Sequence, residues 1–267
     1  MTGDTAASGA RPARYLFIGG LHRSGTSLLA RLIAEHPEIA SISGSPAPEN
    51  EGCYLQGAIP HTALHGRPMH FATDPEQHLV EGCRYDTLEA QRRIASDWGP
   101  WFDGRRPWRL EKSPVNLTRM RLYQQLFPMS QFVVIMRHPE LVAAAVGKWV
   151  DGPPAVLVDH WIAAHEQMQD DLPRLHAVCV IRYEDLCHDP GAVVRGIHGF
   201  MGLETVRSPA AGSVRNGNLD YPGAAGLGRD LPDWGYGPGG RCAGFAPVIR
   251  HPLRAIRDRV AAALSGQ

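Results

Sequence analysis

Residues 15–37, YLFIGGLHRSGTSLLARLIAEHP, restrict the fold more than any other stretch of the chain. A short apolar run, Tyr15, Leu16, Phe17 and Ile18, has the character of a buried strand. It turns through a glycine-rich stretch, 19–27, and a helix is expected from Thr26. Leu28, Leu29, Leu32 and Ile33 fall on one face of that helix, and His36 and Pro37 stop it. A strand, a glycine-rich turn and a helix N-terminus together form an anion cradle, because free backbone N–H groups and the helix dipole point at the loop. The expected ligand is a phosphate or a group resembling one.

The rest of the chain repeats the strand-then-helix alternation. Strands are expected at 108–110, 132–136 and 178–181, the second being a continuous β-branched run. Helices are expected at 86–98, from Ser113 as N-cap with Pro114 in the first turn to about 127, and at 140–150, 155–172 and 190–201. A further basic amphipathic helix is expected at 248–264, with Arg250, Arg254 and Arg257 on a solvated face. This pattern predicts an α/β, P-loop-like three-layer domain with a central parallel sheet flanked by helices. Residues 1–13 read as a disordered tail and 14–267 as a single domain. Within it, 41–78 and 206–247 read as lid-like loops; the second holds ten glycines and five prolines.

Composition removes several function classes. The 27 basic and 27 acidic residues cancel, so no field is expected for nucleic acid or for a membrane surface. The five cysteines are scattered without a C-x-x-C pair, as in a reducing compartment. No signal-like segment and no run of membrane-spanning length is read, so a cytoplasmic protein is expected.

In a parallel sheet, ligands gather at the carboxyl ends of the strands. The residues there are His22-Arg23-Ser24, Glu111-Lys112-Ser113, Arg137-His138 and Arg182-Tyr183. Gly20 and Gly25-Thr26-Ser27 have P-loop spacing, but no lysine follows Gly25, and the best strand ends in Arg137 where a magnesium site needs a carboxylate. Cations at several strand ends therefore suit a metal-free polyanion.

Three ordered blocks carry a family resemblance: GLHRSGTSLL (20–29) with His36-Pro37, EKSP (111–114) through LFP (126–128), and 132–139 with Lys148-Trp149. RYEDL (182–186) adds a fourth. Over about 15–201 the chain resembles sulfotransferases that use 3′-phosphoadenosine 5′-phosphosulfate (PAPS), in the bacterial branch that also resembles tyrosylprotein sulfotransferases. The resemblance implies that His22, Arg23, Ser24, Gly25, Thr26 and Ser27 hold the 5′-phosphosulfate. It implies that Arg137 binds the 3′-phosphate, that Tyr183 lies near the adenine, and that Lys112 approaches the bridging oxygen. Where many members carry a serine eight residues after the arginine, this chain has Ala145, so Lys148, Arg215, Arg229 or Arg241 would assist Arg137.

A hydroxyl acceptor, expected to be a small molecule, needs a base. The histidine found in cytosolic members two residues after the lysine is Pro114 here. By resemblance to the tyrosylprotein enzymes, Glu49 and Glu51 are the candidates. Glu51 is preferred because Gly52 would let a substrate approach, and His22 is a further alternative. His61, His65, His70 and His78 raise a zinc site, but no cysteine or carboxylate completes the spacing, and no metal is expected. The competing readings are a P-loop kinase of another type and a catalytically idle nucleotide-binding protein.

Overall fold

The computed structural model describes residues 13–61, 69–221 and 229–265. Residues 1–12 of the expected tail (1–13), part of each lid-like loop (62–68 and 222–228) and His65 lie outside them. Strands β1 (Arg14–Gly19), β2 (Ile39–Ser41), β3 (Trp108–Lys112), β4 (Gln131–Met136) and β5 (Val178–Arg182) form a parallel sheet in the order β2-β3-β1-β4-β5. A sixth strand, β8 (Val248–Arg250), closes the β5 edge antiparallel. Strands β6 (Tyr236–Gly237) and β7 (Arg241–Cys242) make a separate small hairpin.

Alternation along β1 sorts the core into two layers. Tyr15 and Phe17 face an aromatic cluster with Trp98, Tyr123, Phe127 and Phe132. This layer is covered by helices α2 (Leu88–Trp98), α3 (Met120–Leu126), α4 (Pro139–Val146) and α5 (Pro154–Asp171). Leu16 and Ile18 face the opposite way, onto aliphatic side chains of α1 (Thr26–Ile33), α7 (Pro190–Phe200) and α8 (Arg254–Leu264). A two-residue period on a strand buried on both faces produces this arrangement. Because β1 pairs with both β3 and β4, the strand order reverses around it, and its carboxyl end opens into the crevice where such sheets take ligands.

Two local expectations are corrected. Ser113 does not cap a helix: its hydroxyl donates to Glu111 Oε1 (2.5 Å) and accepts from the Cys53 N–H (3.1 Å). The chain instead enters a 3₁₀ turn, Pro114–Thr118, and breaks at Arg119 before α3. Arg119 is buried and donates to Pro60 O (3.0 Å) and Gln77 Oε1 (2.8 Å), tying these two residues to this break. The expected helix 248–264 begins only at Arg254, because the β-branched Val248 and Ile249 pair with β5 and Pro252 comes next. Arg250 and Arg254 are exposed, as expected of a solvated face, while Arg257 is half-buried and donates to the backbone carbonyls of His251 and Pro252. Helix α6 (Tyr183–His188), directly after β5, has no counterpart in the expected elements. Among the described residues no helix is long and apolar enough to cross a membrane.

In the 229–247 stretch Trp234 and Tyr236 pack on Trp161 in the core, and polar ties to the strand ends add to this fastening. Arg182 Nη1 donates to Gly235 O (3.0 Å) and Ala243 O (2.9 Å), while its other nitrogens fork onto Asp185 (3.0 and 2.8 Å). His138 Nε2 meets Gly237 O (2.9 Å), and the Gly240 N–H donates to Glu140 (3.2 Å). Arg182→Ala is expected to take the donor from the Gly235 and Ala243 carbonyls and to cost about 1–3 kcal/mol. Limited proteolysis should then cut within 229–246 faster than in the parent protein; an unchanged cleavage rate and unfolding midpoint would rule out this fastening.

Candidate active site

The cradle at the end of β1 is shaped by backbone conformations that side chains disfavour. Gly25 has φ +98°, and a Cβ there would sit 2.5 Å from a ring carbon of Tyr183, so only glycine fits. Arg23, at φ +68°, turns its side chain outward. Helix α1 has no side-chain N-cap, so its first N–H groups remain available to an anion.

Most of the expected site residues line one cleft of about 480 Å³. His22, Arg23, Gly25, Thr26 and Ser27 contribute from the loop, and Glu49, Glu51, Arg137 and Tyr183 face it from other elements. Ser24 lies behind the loop, fully buried, its hydroxyl without a partner among the described residues. Lys112 lines an adjoining cleft of about 560 Å³ that shares Ser27 and Glu49 with the first. Lys148 is exposed at the rim, its Nζ 3.4 Å from Tyr221 Oη.

Where the two clefts meet, Lys112 Nζ donates to Glu51 Oε1 at 3.0 Å, with side-chain exposures of only 5% and 9%. Burial pushes the Glu51 carboxyl up to about 6, against the opposing pull of Lys112. Burial, with Lys112 nearby, pushes His22 down to about 4, leaving a neutral imidazole whose buried Nδ1 has no partner among the described residues.

Glu111 holds this pair in place and was not anticipated as a site residue. It is fully buried, and burial raises its pKa although three donors converge on it. These are the Gly52 N–H (2.9 Å), Ser113 Oγ (2.5 Å) and Asn116 Nδ2 (2.6 Å). Gly52 therefore does not open a path for substrate. Its bare face is filled by Glu111 and Trp98, and Trp98 Nε1 donates to its carbonyl (2.8 Å). Upstream, Glu49 and Asn50 both have positive φ (51° and 53°), and Asn50 Oδ1 accepts from the Ser45 N–H (3.1 Å) and hydroxyl (3.0 Å). That turn sets Glu49 at the mouth, exposed, with Glu51 inside.

On the other side of the cradle, Arg137 is buried and donates to Arg23 O (2.8 Å) and Asn218 Oδ1 (2.7 Å); its Nη2 has no partner among the described residues. Its guanidinium lies over the Tyr183 ring, 4.7 Å from the centroid. Tyr183 Oη accepts from the Gly217 N–H (2.8 Å). Gly217, Asp220 and Tyr221 also line the cleft and were missed, because an aperiodic glycine-rich segment carries no signal that places it. The arginines considered as helpers of Arg137 each have another partner: Arg215 pairs with Asp220, Arg229 with Asp159, and Arg241 donates to Pro238 O (3.1 Å). The histidines of 61–78 disperse, with His61 stacked on Tyr54, His70 facing His160 and His78 paired with Asp171 (2.8 Å).

A family profile described as "Sulfotransferase family" matches residues 16–207. A solved sulfotransferase from Mycobacterium avium is similar in fold, with 14% identity over 76% of this chain and 67% of that one and a TM-score of 0.50. A sulfotransferase from Alicyclobacillus acidocaldarius aligns with 20% identity over 79% of this chain and 88% of that one, with a TM-score of 0.47. No curated protein matches the sequence.

The packing around Gly52 yields a direct test. A Cβ at this position would lie 2.7 Å from Glu111 Cγ and 2.8 Å from Trp98 Nε1. Gly52→Ala is expected to destabilise the protein by about 1–3 kcal/mol through overpacking. Denaturant unfolding measures this, and a variant as stable as its parent would show that the loop is not clamped there.

Proposed function

This chain belongs to the sulfotransferase family, and we propose that it moves the sulfuryl group of PAPS to the hydroxyl of a small acceptor by metal-independent in-line transfer. The observation that carries the reading is the buried Glu51–Lys112 pair at the edge of a cleft lined by Arg137, whose buried Nη2 has no partner among the described residues. Buried polar groups are nearly always paired, so Arg137 Nη2 and His22 Nδ1, both on residues that line the cleft, fit an anionic ligand bearing several phosphate or sulfate oxygens. Because Arg137 directly follows β4, the strand end that would hold magnesium in a P-loop kinase offers a guanidinium instead.

Each residue then has a role. The N–H groups from Gly25 to Ser27, with Arg23, take the charge that grows on the 5′-phosphate as the bridging S–O bond breaks. Arg137, a planar fork, binds the 3′-phosphate with Lys148 at the rim, and Tyr183 presents its ring to the adenine. Glu51 removes the acceptor's proton as the acceptor oxygen bonds to sulfur, and Glu49 flanks it at the mouth. Lys112, released from Glu51 as that carboxylate is protonated, stabilises the departing phosphate oxygen. The products are a sulfate ester and adenosine 3′,5′-bisphosphate, so atoms and charge balance without a further reactant. Five free cysteines suit the cytoplasmic setting we propose.

Two substitutions separate the roles. Lys112→Ala is expected to lower turnover with radiolabelled PAPS by about 10²–10³-fold while adenosine 3′,5′-bisphosphate binds nearly as before. Arg137→Ala should instead raise the dissociation constant of that bisphosphate by at least about tenfold. Near-parental turnover in the first, or unchanged affinity in the second, removes that residue from its role.

The pH profile tests the base. Only ionised Glu51 accepts a proton, so kcat/KM should fall as pH drops through about 6. His22, held near 4, stays neutral across that range and adds no limb. In Glu51→Gln the acid limb should vanish along with most of the activity. A limb that persists in residual Glu51→Gln activity assigns the base to another group, with Glu49 next to be replaced.

A further inference from the structure

Ala145 poses a chemical problem that the structure answers. A 3′-phosphate is a dianion with three terminal oxygens, and one guanidinium with its Nε already committed to Asn218 cannot serve them all. Ala145 is buried in α4 and brings no hydroxyl. The three arginines of the glycine-rich segment each have another partner.

A hydroxyl does reach this place, from Tyr221. Its ring lies against Arg137, 5.6 Å from the guanidinium carbon, and against Lys148, whose Nζ is 4.8 Å from the centroid and 3.4 Å from the phenol oxygen. Arg23 acts on the same phenol, and although burial opposes it, the hydrogen bonds from Arg23 and Lys148 lower the phenol's pKa. A phenol with the Lys148 ammonium at its oxygen and the Arg137 guanidinium at its ring marks a point where negative charge is stabilised. The neighbouring Asp220 would repel an anion, but Arg215 neutralises it from the other side. The segment is anchored where this matters, by Asn218 to Arg137 and Glu184 and by the Gly217 N–H to Tyr183 Oη.

Resting on the sulfotransferase reading, we infer that Tyr221 is a specificity residue of the donor site, its hydroxyl taking the place of the serine missing at Ala145. It hydrogen-bonds the 3′-phosphate beside Arg137 and Lys148, and so distinguishes 3′-phosphorylated from 3′-hydroxyl adenine nucleotides. Removing the hydroxyl while keeping the ring isolates this role, since Tyr221→Phe retains both cation–ring contacts.

The test compares three probes by calorimetry on parent and Tyr221→Phe protein: adenosine 3′,5′-bisphosphate, adenosine 5′-monophosphate and adenosine 5′-phosphosulfate. Losing a hydrogen bond to a charged group should weaken the bisphosphate about tenfold or more and leave the two 3′-hydroxyl nucleotides within about twofold. Equal weakening of all three would place Tyr221 at the 5′ end and overturn the inference, as would no change in any of them. Tyr221→Ala, which also removes the ring, should weaken the bisphosphate further. A parent protein that binds none of the three, or binds them equally, would count against the PAPS reading itself, a failure distinct from the first two.

Discussion

Two opposite charges, Glu51 and Lys112, lie side by side out of water, and the surrounding loops are built to keep them there. Taking both from water is expensive, and their attraction offsets the expense only when the geometry is held. Glu111 holds it, gathering Gly52, Ser113 and Asn116 onto one carboxylate so that the 51–53 turn is clamped to the end of β3. The offset is incomplete. Glu51 remains raised from 4.5 to about 6, so the folded state binds its proton more readily than the unfolded chain does. Between those pH values stability falls as pH rises, by about 2 kcal/mol in all. The same burial makes the carboxylate a stronger base than one in water, so a stability cost and a chemical capability share one cause.

The legible parts of the molecule were those whose signals are local. The β-branched run of β4, the apolar run of β1 and the glycine turn before α1 each carry their own pattern, and the strand-end rule led from them to Lys112 and Arg137. The illegible parts were those decided by partners distant in sequence. Ser113 with Pro114 after it satisfies every local rule for a helix start, yet Glu111 and the Cys53 N–H compete for its hydroxyl. Gly52 looked like an opening and is a close contact with Trp98, 46 residues away. The three-residue β2 and β8 are too short for a period to show, and Tyr221 sits in a stretch with no period at all.

Arg137 and Arg182 show how context divides one residue type between two tasks. They stand at the ends of adjacent strands, and both are buried. Around Arg182 the fold supplies the Asp185 carboxylate and two carbonyls of the glycine-rich segment, so its donors are taken up and it acts as a fastener. Around Arg137 it supplies one carbonyl and one amide oxygen and leaves a buried nitrogen over. Sequence position makes both cations candidates for an anion, and only the count of local acceptors separates them.

The two tasks are also coupled. Glu184 lies two residues past the end of β5 and accepts from the His138 N–H (3.1 Å), Asn218 Nδ2 (3.1 Å) and Tyr236 Oη (2.9 Å). One carboxylate thus joins the end of β4, the 217–221 strap and the small hairpin that Arg182 fastens. The strap has no apolar core of its own, and among its ties Asn218 bridges Glu184 and Arg137. A glycine-rich segment can then stay irregular, with the backbone freedom to fit closely over a ligand, while the saturated cation and the shared carboxylate limit how far it strays from the unsaturated one.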